Sequence, residues 1–365
     1  MGFIRENILK ILTIIVVFII IIVICMFAFG GSGSKKNKSY SSIENNLIIS
    51  TKRYLNDNKK LIPQKEGETT KINLDTLVNA EYSNSLVALE DENVKCSGYV
   101  QITKIKENYN YIPYIKCGKY YETKKISDKL KENVQTVIGE DGLYAIGNKY
   151  VFKGENPNNF LRLGQRLYRI IEINENNEIK LISTEKYENS VTWDDRYNVE
   201  RDNTDGINDF SKSRLKDSLE QIYNSSEYFS ESEKNKMIAH DVCVGKRYKT
   251  DLSLDQTTEC SVQYPGMNVS LIQLSDYARA SLDSNCNSIS SRACENYNYF
   301  ENITSSYRTL TAVADNTYQI YYISYGQVNT TRASGNFSVY PVIYIDSLSI
   351  YNSGDGTLEN PYIIK

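Results

Sequence analysis

The sequence has a single histidine, no excess of basic residues and no C-x-x-C spacing among its cysteines. Lysine and arginine number 42 against 45 aspartates and glutamates, so nothing marks the chain as a nucleic-acid-binding protein. The missing C-x-x-C removes the usual spacing of a cysteine zinc site. Gly245-Lys246 does not belong to a P-loop, because no glycine lies five residues before Gly245. We therefore expect no nucleic-acid partner, no cofactor and no metal site.

One long uncharged segment stands out near the N-terminus, Ile11–Phe29. At about 1.5 Å per residue, a helix of this length reaches about 28 Å, close to the thickness of the hydrocarbon core of a bilayer. We expect residues 1–30 to form a transmembrane anchor. Ala28-Phe29-Gly30 could be a signal-peptidase site, but the apolar run is longer than a usual signal peptide, so retention is favoured. The basic residues that flank the segment do not orient it.

Six of the seven cysteines lie beyond the apolar segment, and their even number suits disulfides in an exported domain. Local pairing is the simplest of the connectivities that six cysteines allow: Cys96 with Cys117, Cys243 with Cys260, and Cys286 with Cys294. This reading predicts a single-pass protein of the cell membrane whose C-terminal domain is extracellular.

The pattern of polar and apolar residues divides the part of the chain that follows the anchor into several regions. Ser41-x-x-Glu44 is typical of a helix start, and Pro63 ends the helix. Residues 96–117 alternate like a β-hairpin whose open end would bring Cys96 and Cys117 together. The expected organisation is a Gly/Ser/Lys linker at 31–40, an α+β module at 41–125, a charged connector at 126–147 and a β-rich domain at 148–365.

The layout of residues 1–125 resembles that of a type IV pilin or pseudopilin. In that family an apolar N-terminal helix continues into an amphipathic helix, which packs on a small antiparallel sheet with a disulfide. Gly2-Phe3 followed by Glu6 resembles the prepilin cleavage site. The resemblance implies a pilin-like module and, as an alternative function, a minor pilin or pseudopilin subunit of a surface filament or secretion apparatus.

The sequence pattern of residues 148–365 differs from that of the preceding region and predicts short strands with a few helices. The segments GENPNNFLRLGQRLYRIIEI, SLIQLSDYARA, VYPVIYID and GDGTLENPYII are similar to surface-protein domains of low-GC Gram-positive bacteria. Their closing strands resemble the C-type-lectin-like fold of sulfatase-modifying-factor relatives. The resemblance implies no activity. The predicted fold class is thus α+β, with a transmembrane helix, a pilin-like module and a larger β-rich domain of C-type-lectin-like character.

A thiol enzyme is the enzymatic alternative. His240, Cys243 and Cys260 lie close in sequence, and a Cys–His pair could form the thiolate of a membrane-anchored hydrolase or transpeptidase. The structural alternative is a histidine beside a cystine. We favour the latter and expect no catalytic residues. Asp202-Asn-Thr-Asp205-Gly206 leaves a loose calcium loop possible.

We therefore expect an exported, membrane-anchored bacterial surface protein with a noncatalytic role in binding or assembly. We attribute its 30 tyrosines against 10 phenylalanines first to the composition bias of an AT-rich genome. A consequence of that bias would be a tyrosine-rich recognition surface, since tyrosine offers a large contact area at low entropic cost. The expected partners are the membrane, through residues 11–29, and a protein or carbohydrate ligand at the cell surface. The candidate ligand surface comprises Trp193, Tyr197, Tyr264, Tyr297 and Tyr299.

Overall fold

The computed structural model describes residues 39–187, 190–303 and 306–365. The described residues are 34% strand and 21% helix and include a curled half-barrel sheet. The predicted α+β fold class is therefore wrong for the described residues, because strands outweigh helices in them and a curled sheet is their main element. No helix within these ranges is long and apolar enough to cross a membrane. The expected span, Ile11–Phe29, lies outside the described residues.

The chain forms two compact units, of which the first ends at Glu122 and the second runs from Thr123 to Lys365. In the first unit, four antiparallel strands form a sheet in the order β1-β2-β3-β4. The elements of this unit are α1 (Tyr40–Asp57), β1 (Thr69–Asn73), α2 (Leu74–Asn79), β2 (Ser97–Ile105), β3 (Asn108–Cys117) and β4 (Tyr121–Glu122).

The N-cap of helix α1 is Ser39, two residues before the predicted Ser41. The Ser39 hydroxyl accepts a hydrogen bond from the Ser42 amide at 3.1 Å and so caps the helix. Leu47, Thr51 and Leu55, spaced four residues apart, form its buried face. Strands β2 and β3 form the expected hairpin, and the disulfide between Cys96 and Cys117 closes its open end.

The second unit holds the remaining elements, most of them strands. In chain order they are α3 (Ile126–Lys131), β5 (Gly142–Ile146), β6 (Lys149–Lys153), β7 (Phe160–Leu163), β8 (Arg166–Ile173), β9 (Ile179–Ser183), β10 (Val191–Thr192), α4 (Arg214–Asn224), α5 (Glu231–Lys234), β11 (Met237–Ile238), β12 (His240–Cys243), β13 (Gln263–Met267), α6 (Leu274–Arg279), β14 (Tyr307–Ala312), β15 (Gln319–Ser324), β16 (Gln327–Arg332), β17 (Asn336–Phe337), β18 (Val342–Ile345), β19 (Tyr351–Ser353) and β20 (Tyr362–Ile364).

The main sheet of the second unit has nine strands. Its path runs β11-β18-β9-β8-β7-β20-β19, and β6 pairs with both β8 and β5. Strands β20 and β7 are parallel, whereas the other pairs are antiparallel. Every residue of β9 and the last six residues of β8 are buried. Such burial leaves no exposed face for the charged residues on these strands, so each needs a partner inside the protein.

The predicted connector at 126–147 belongs to the second unit. Ile126 and Leu130 of α3 and Leu143 of β5 are almost completely buried in the core of that unit. The expected boundaries at 125 and 148 therefore differ from the division between Glu122 and Thr123. The segment looks like a connector because most of its residues are charged or polar. Ile126 and Leu130 are nevertheless four residues apart, which places them on one face of α3 and is enough to bury that face.

The loop before β20 packs closely against the start of β7. The Phe160 amide donates a hydrogen bond to the Gly356 carbonyl at 2.9 Å. A Cβ at Gly356 would lie 2.3 Å from the Asn158 carbonyl oxygen, and the Gly356 φ of 84° favours glycine. Glycine is therefore needed here for both the space and the backbone angle.

We predict that Gly356→Ala lowers the free energy of unfolding by roughly 2 kcal/mol, since it adds a steric clash to backbone strain. Gly147→Ala is the matched control: Gly147 also has a positive φ, 61°, but a Cβ there would meet nothing within 4 Å. Urea unfolding of both variants measures the difference. Equal losses for the two variants would show that the contact with Asn158 is not tight.

Candidate ligand-binding cavity

The predicted thiol candidates do not form a nucleophile. Cys243 and Cys260 are joined in a disulfide, as expected from local pairing, and Cys286 is joined to Cys294. The His240 ring stacks on Tyr344 with 3.8 Å between ring centroids. Its Nδ1 lies 3.3 Å from a carboxylate oxygen of Glu178. The Cys–His arrangement of a thiol hydrolase is thus absent at these three positions.

The predicted ligand surface is only partly exposed. Tyr197 and Tyr297 are 53% and 61% exposed. Trp193, in contrast, is completely buried and packs edge-to-face against Phe210, at 6.2 Å between ring centroids. The prediction that Trp193 faces a ligand is therefore wrong, because its ring is part of the core. Tyr264 is half-buried and packs edge-to-face against Phe210, with 5.4 Å between the ring centroids.

Two arginines contact the acidic loop at Asp202–Gly206, which the sequence left as a possible calcium site. Asp205 pairs with Arg201 at 3.0 Å and with Arg332 at 2.9 Å, so its carboxylate oxygens already have cationic partners. Across the described ranges, no group of three or more histidine, cysteine, aspartate or glutamate side chains is arranged to hold a metal ion.

Tyr299, the last predicted ligand residue, is buried beside a cavity of about 500 Å³ in the second unit. This volume lies in the range of small-molecule sites. Five separate stretches of chain form the cavity: the loop before β7 with its first residue, Arg169 of β8, the end of β9, the turn around Tyr299, and the loop before β20. The apolar part of its wall comprises Pro157, Phe160, Ile182, Phe300, Ile303 and Leu358.

Arg169 of β8 supplies the cation in this wall. Its side chain is 9% exposed, and its guanidinium lies 4.1 Å from the centre of the Phe160 ring and 5.4 Å from that of Tyr299. Such stacking on aromatic rings suits the planar guanidinium group. Phe160 and Arg169 are also cross-strand partners in the pairing of β7 with β8. The sheet register therefore places the cation against the apolar wall.

Asn159 orients the guanidinium. Its side-chain amide donates to the Ile170 carbonyl at 2.9 Å, which leaves Oδ1 to accept a hydrogen bond from Arg169 Nη1 at 2.8 Å. Over the described ranges, this is the only protein hydrogen bond of the Arg169 side chain, and no carboxylate lies within 4.0 Å of it. Burial lowers the pKa of Arg169 to about 10, so the group stays protonated at neutral pH.

A second cavity, of about 490 Å³, lies beside His240 and is lined mainly by polar groups. Its cations already have carboxylate partners. Lys180 approaches Asp276 at 2.6 Å, and Lys149 approaches Glu172 at 3.3 Å. This cavity therefore differs from the first, in which the buried cation has only an amide partner.

The sequence pointed to only one residue of the apolar cavity, Tyr299. Arg169 gave a signal that could have been used, since it stands between apolar residues in the strand LYRIIEI and so predicts a buried charge. The remaining wall residues gave none, because the fold alone brings their four segments together.

The comparisons with known proteins give no relative from which a site could be transferred. Neither a protein-family model, nor a curated protein, nor a solved structure matches this chain. The resemblances to pilins and to C-type-lectin-like domains therefore stay predictions.

We predict that His240 makes the protein less stable in acid. Burial lowers the pKa of His240 below its ordinary value of 6.5, although Glu178 opposes the shift. As the pH falls, the unfolded chain therefore protonates His240 at a higher pH than the folded chain does. The stability that the neutral His240 contributes to the folded state is fully present above pH 6.5 and is lost as the pH falls below that value.

Urea unfolding of the parent protein and of His240→Gln at about pH 7.5 and about pH 5.5 measures the effect. The parent should lose more unfolding free energy on acidification than the variant. If both lose the same amount, or the variant loses more, burial does not dominate the titration of His240.

Proposed function

We propose that this chain is an exported bacterial surface protein that binds a ligand without catalysing a reaction. The observation that carries the proposal is the presence of three disulfides, which use six of the seven cysteines. Disulfides persist in oxidising compartments and are rare in the cytosol. In this proposal, residues 11–29 hold the protein at the cell membrane, and the two compact units are outside the cell.

The apolar cavity supports a binding role. It combines a mainly apolar wall with one oriented cation, which is the usual composition of a ligand site. The candidate thiol nucleophiles are consumed by a disulfide, which weakens the enzymatic alternative. The exposed rings of Tyr197 and Tyr297 add contact surface for the expected protein or carbohydrate partner.

Protease treatment of intact cells tests the exported location. A short epitope tag placed after Lys365, which is exposed, should disappear when intact cells are treated with protease. A cytoplasmic protein in the same cells should survive until the cells are lysed. If the tag is protected in intact cells and is lost only after lysis, the proposal is wrong.

Alkylation tests the disulfides on which the proposal depends. In denaturant without reductant, we expect an alkylating reagent to modify only Cys25, the cysteine that the three disulfides leave over. After reduction, all seven cysteines should react, and intact mass spectrometry counts them. Modification of further cysteines before reduction would remove the main support for an exported protein.

A further inference from the structure

We infer that the apolar cavity beside Arg169 binds a small organic carboxylate with an aromatic or branched apolar body. This inference rests on the proposed ligand-binding role, and it adds the chemical class of the ligand.

The first argument is the missing counter-charge of Arg169. Three other buried cations of this unit have carboxylate partners: Lys180 with Asp276, Arg279 with Glu172, and Arg247 with Glu259. Within the described residues Arg169 has only the neutral amide of Asn159. A buried cation without an anionic partner is costly, so an anion that enters the cavity gains a strong interaction.

Like Arg169, Arg308 is a buried arginine without a carboxylate partner in the described part of the chain. Its Nη2 donates to the carbonyl oxygens of Val191 and Gly335, and its side chain does not line the apolar cavity. Backbone carbonyl groups therefore accept the hydrogen bonds of one of its guanidinium nitrogens. Arg169 differs because it lines a space large enough for a ligand.

The second argument is the orientation of the guanidinium. Phe160 and Tyr299 lie against the guanidinium, and the bond from Nη1 to Asn159 sets its rotation. The remaining N–H groups, on Nε and Nη2, have no protein acceptor in the described ranges. A guanidinium held in this way can donate to a carboxylate with little further loss of conformational freedom.

The third argument is the balance between charge and apolar surface. Arg169 and Glu359 are the only charged residues that the described wall contains, and Glu359 is exposed. A wall with one cation and one exposed carboxylate suits a ligand with a single negative charge better than a doubly charged phosphate. The aromatic and branched side chains of the wall suit an aromatic or branched body.

The experiment compares two probes of nearly equal shape, 3-phenylpropionate and its uncharged amide, 3-phenylpropanamide. Acetate serves as the anion without an apolar body. The full chain is held in lipid nanodiscs, and binding is measured by isothermal titration calorimetry against empty nanodiscs. We expect the carboxylate to bind at least about tenfold more tightly than the amide and than acetate, which is the usual size of one charge-assisted contact.

Two variants locate the effect. Arg169→Gln should abolish the preference for the carboxylate and retain the weak binding of the amide. Arg162→Gln removes the same charge from an exposed position on β7 and should leave the preference unchanged. Thermal unfolding checks that both variants are folded. The comparison of acid with amide on the parent protein needs no variant and stands even if Arg169→Gln fails to fold.

The inference is overturned if the parent protein binds acid and amide equally, if acetate binds as tightly as the acid, or if the acid shows no saturable binding. It is also overturned if Arg162→Gln loses the preference as completely as Arg169→Gln. Failure of the proposed surface location would instead appear as protection of the C-terminal tag in intact cells, so the two failures are distinguishable.

Discussion

The buried carboxylate of Asp276 connects the main sheet to helix α6. Lys180 of β9 lies 2.6 Å from it and Arg279 of α6 lies 3.2 Å from it, while Arg279 also reaches Glu172 of β8 at 3.0 Å. Burial alone would raise the pKa of Asp276, but Lys180 and Arg279 hold it below its usual value. Because loss of one partner would leave an uncompensated charge in the core, these pairs constrain how β8, β9 and α6 pack together.

Strand β8 carries both Glu172 and Arg169, but in the described residues only Glu172 has partners of opposite charge. Glu172 is neutralised from two sides by Lys149 and Arg279. Arg169 instead lies on the cavity side, with Phe160 and Tyr299 against its guanidinium and one amide oxygen as its acceptor. The sheet thus supplies a fixed cation in an apolar wall. This arrangement supports the proposed noncatalytic binding role more directly than the exposed tyrosines do.

Local features of the fold could be predicted from the sequence, whereas features that depend on distant contacts could not. The short separations of the cysteines led to the three pairs that the structure contains, and the alternating pattern of residues 96–117 predicted the hairpin of β2 and β3. The exposure of aromatic side chains was not predictable, since Trp193 is buried in an aromatic cluster that also contains Phe210 and the distant Tyr264. The cavity was missed for the same reason. Its wall comes from five separate segments, and only Tyr299 was expected to contact a ligand.

The most direct test of the account observes Arg169 itself. In a protein labelled with ¹⁵N-arginine, the Nε–H signal of Arg169 is assigned by its absence in Arg169→Gln. Titration with 3-phenylpropionate should shift this signal in a saturable way, and 3-phenylpropanamide should shift it much less, because only the carboxylate accepts a charge-assisted hydrogen bond. An Arg169 signal that does not respond to the carboxylate, or that responds equally to the amide, would contradict the account.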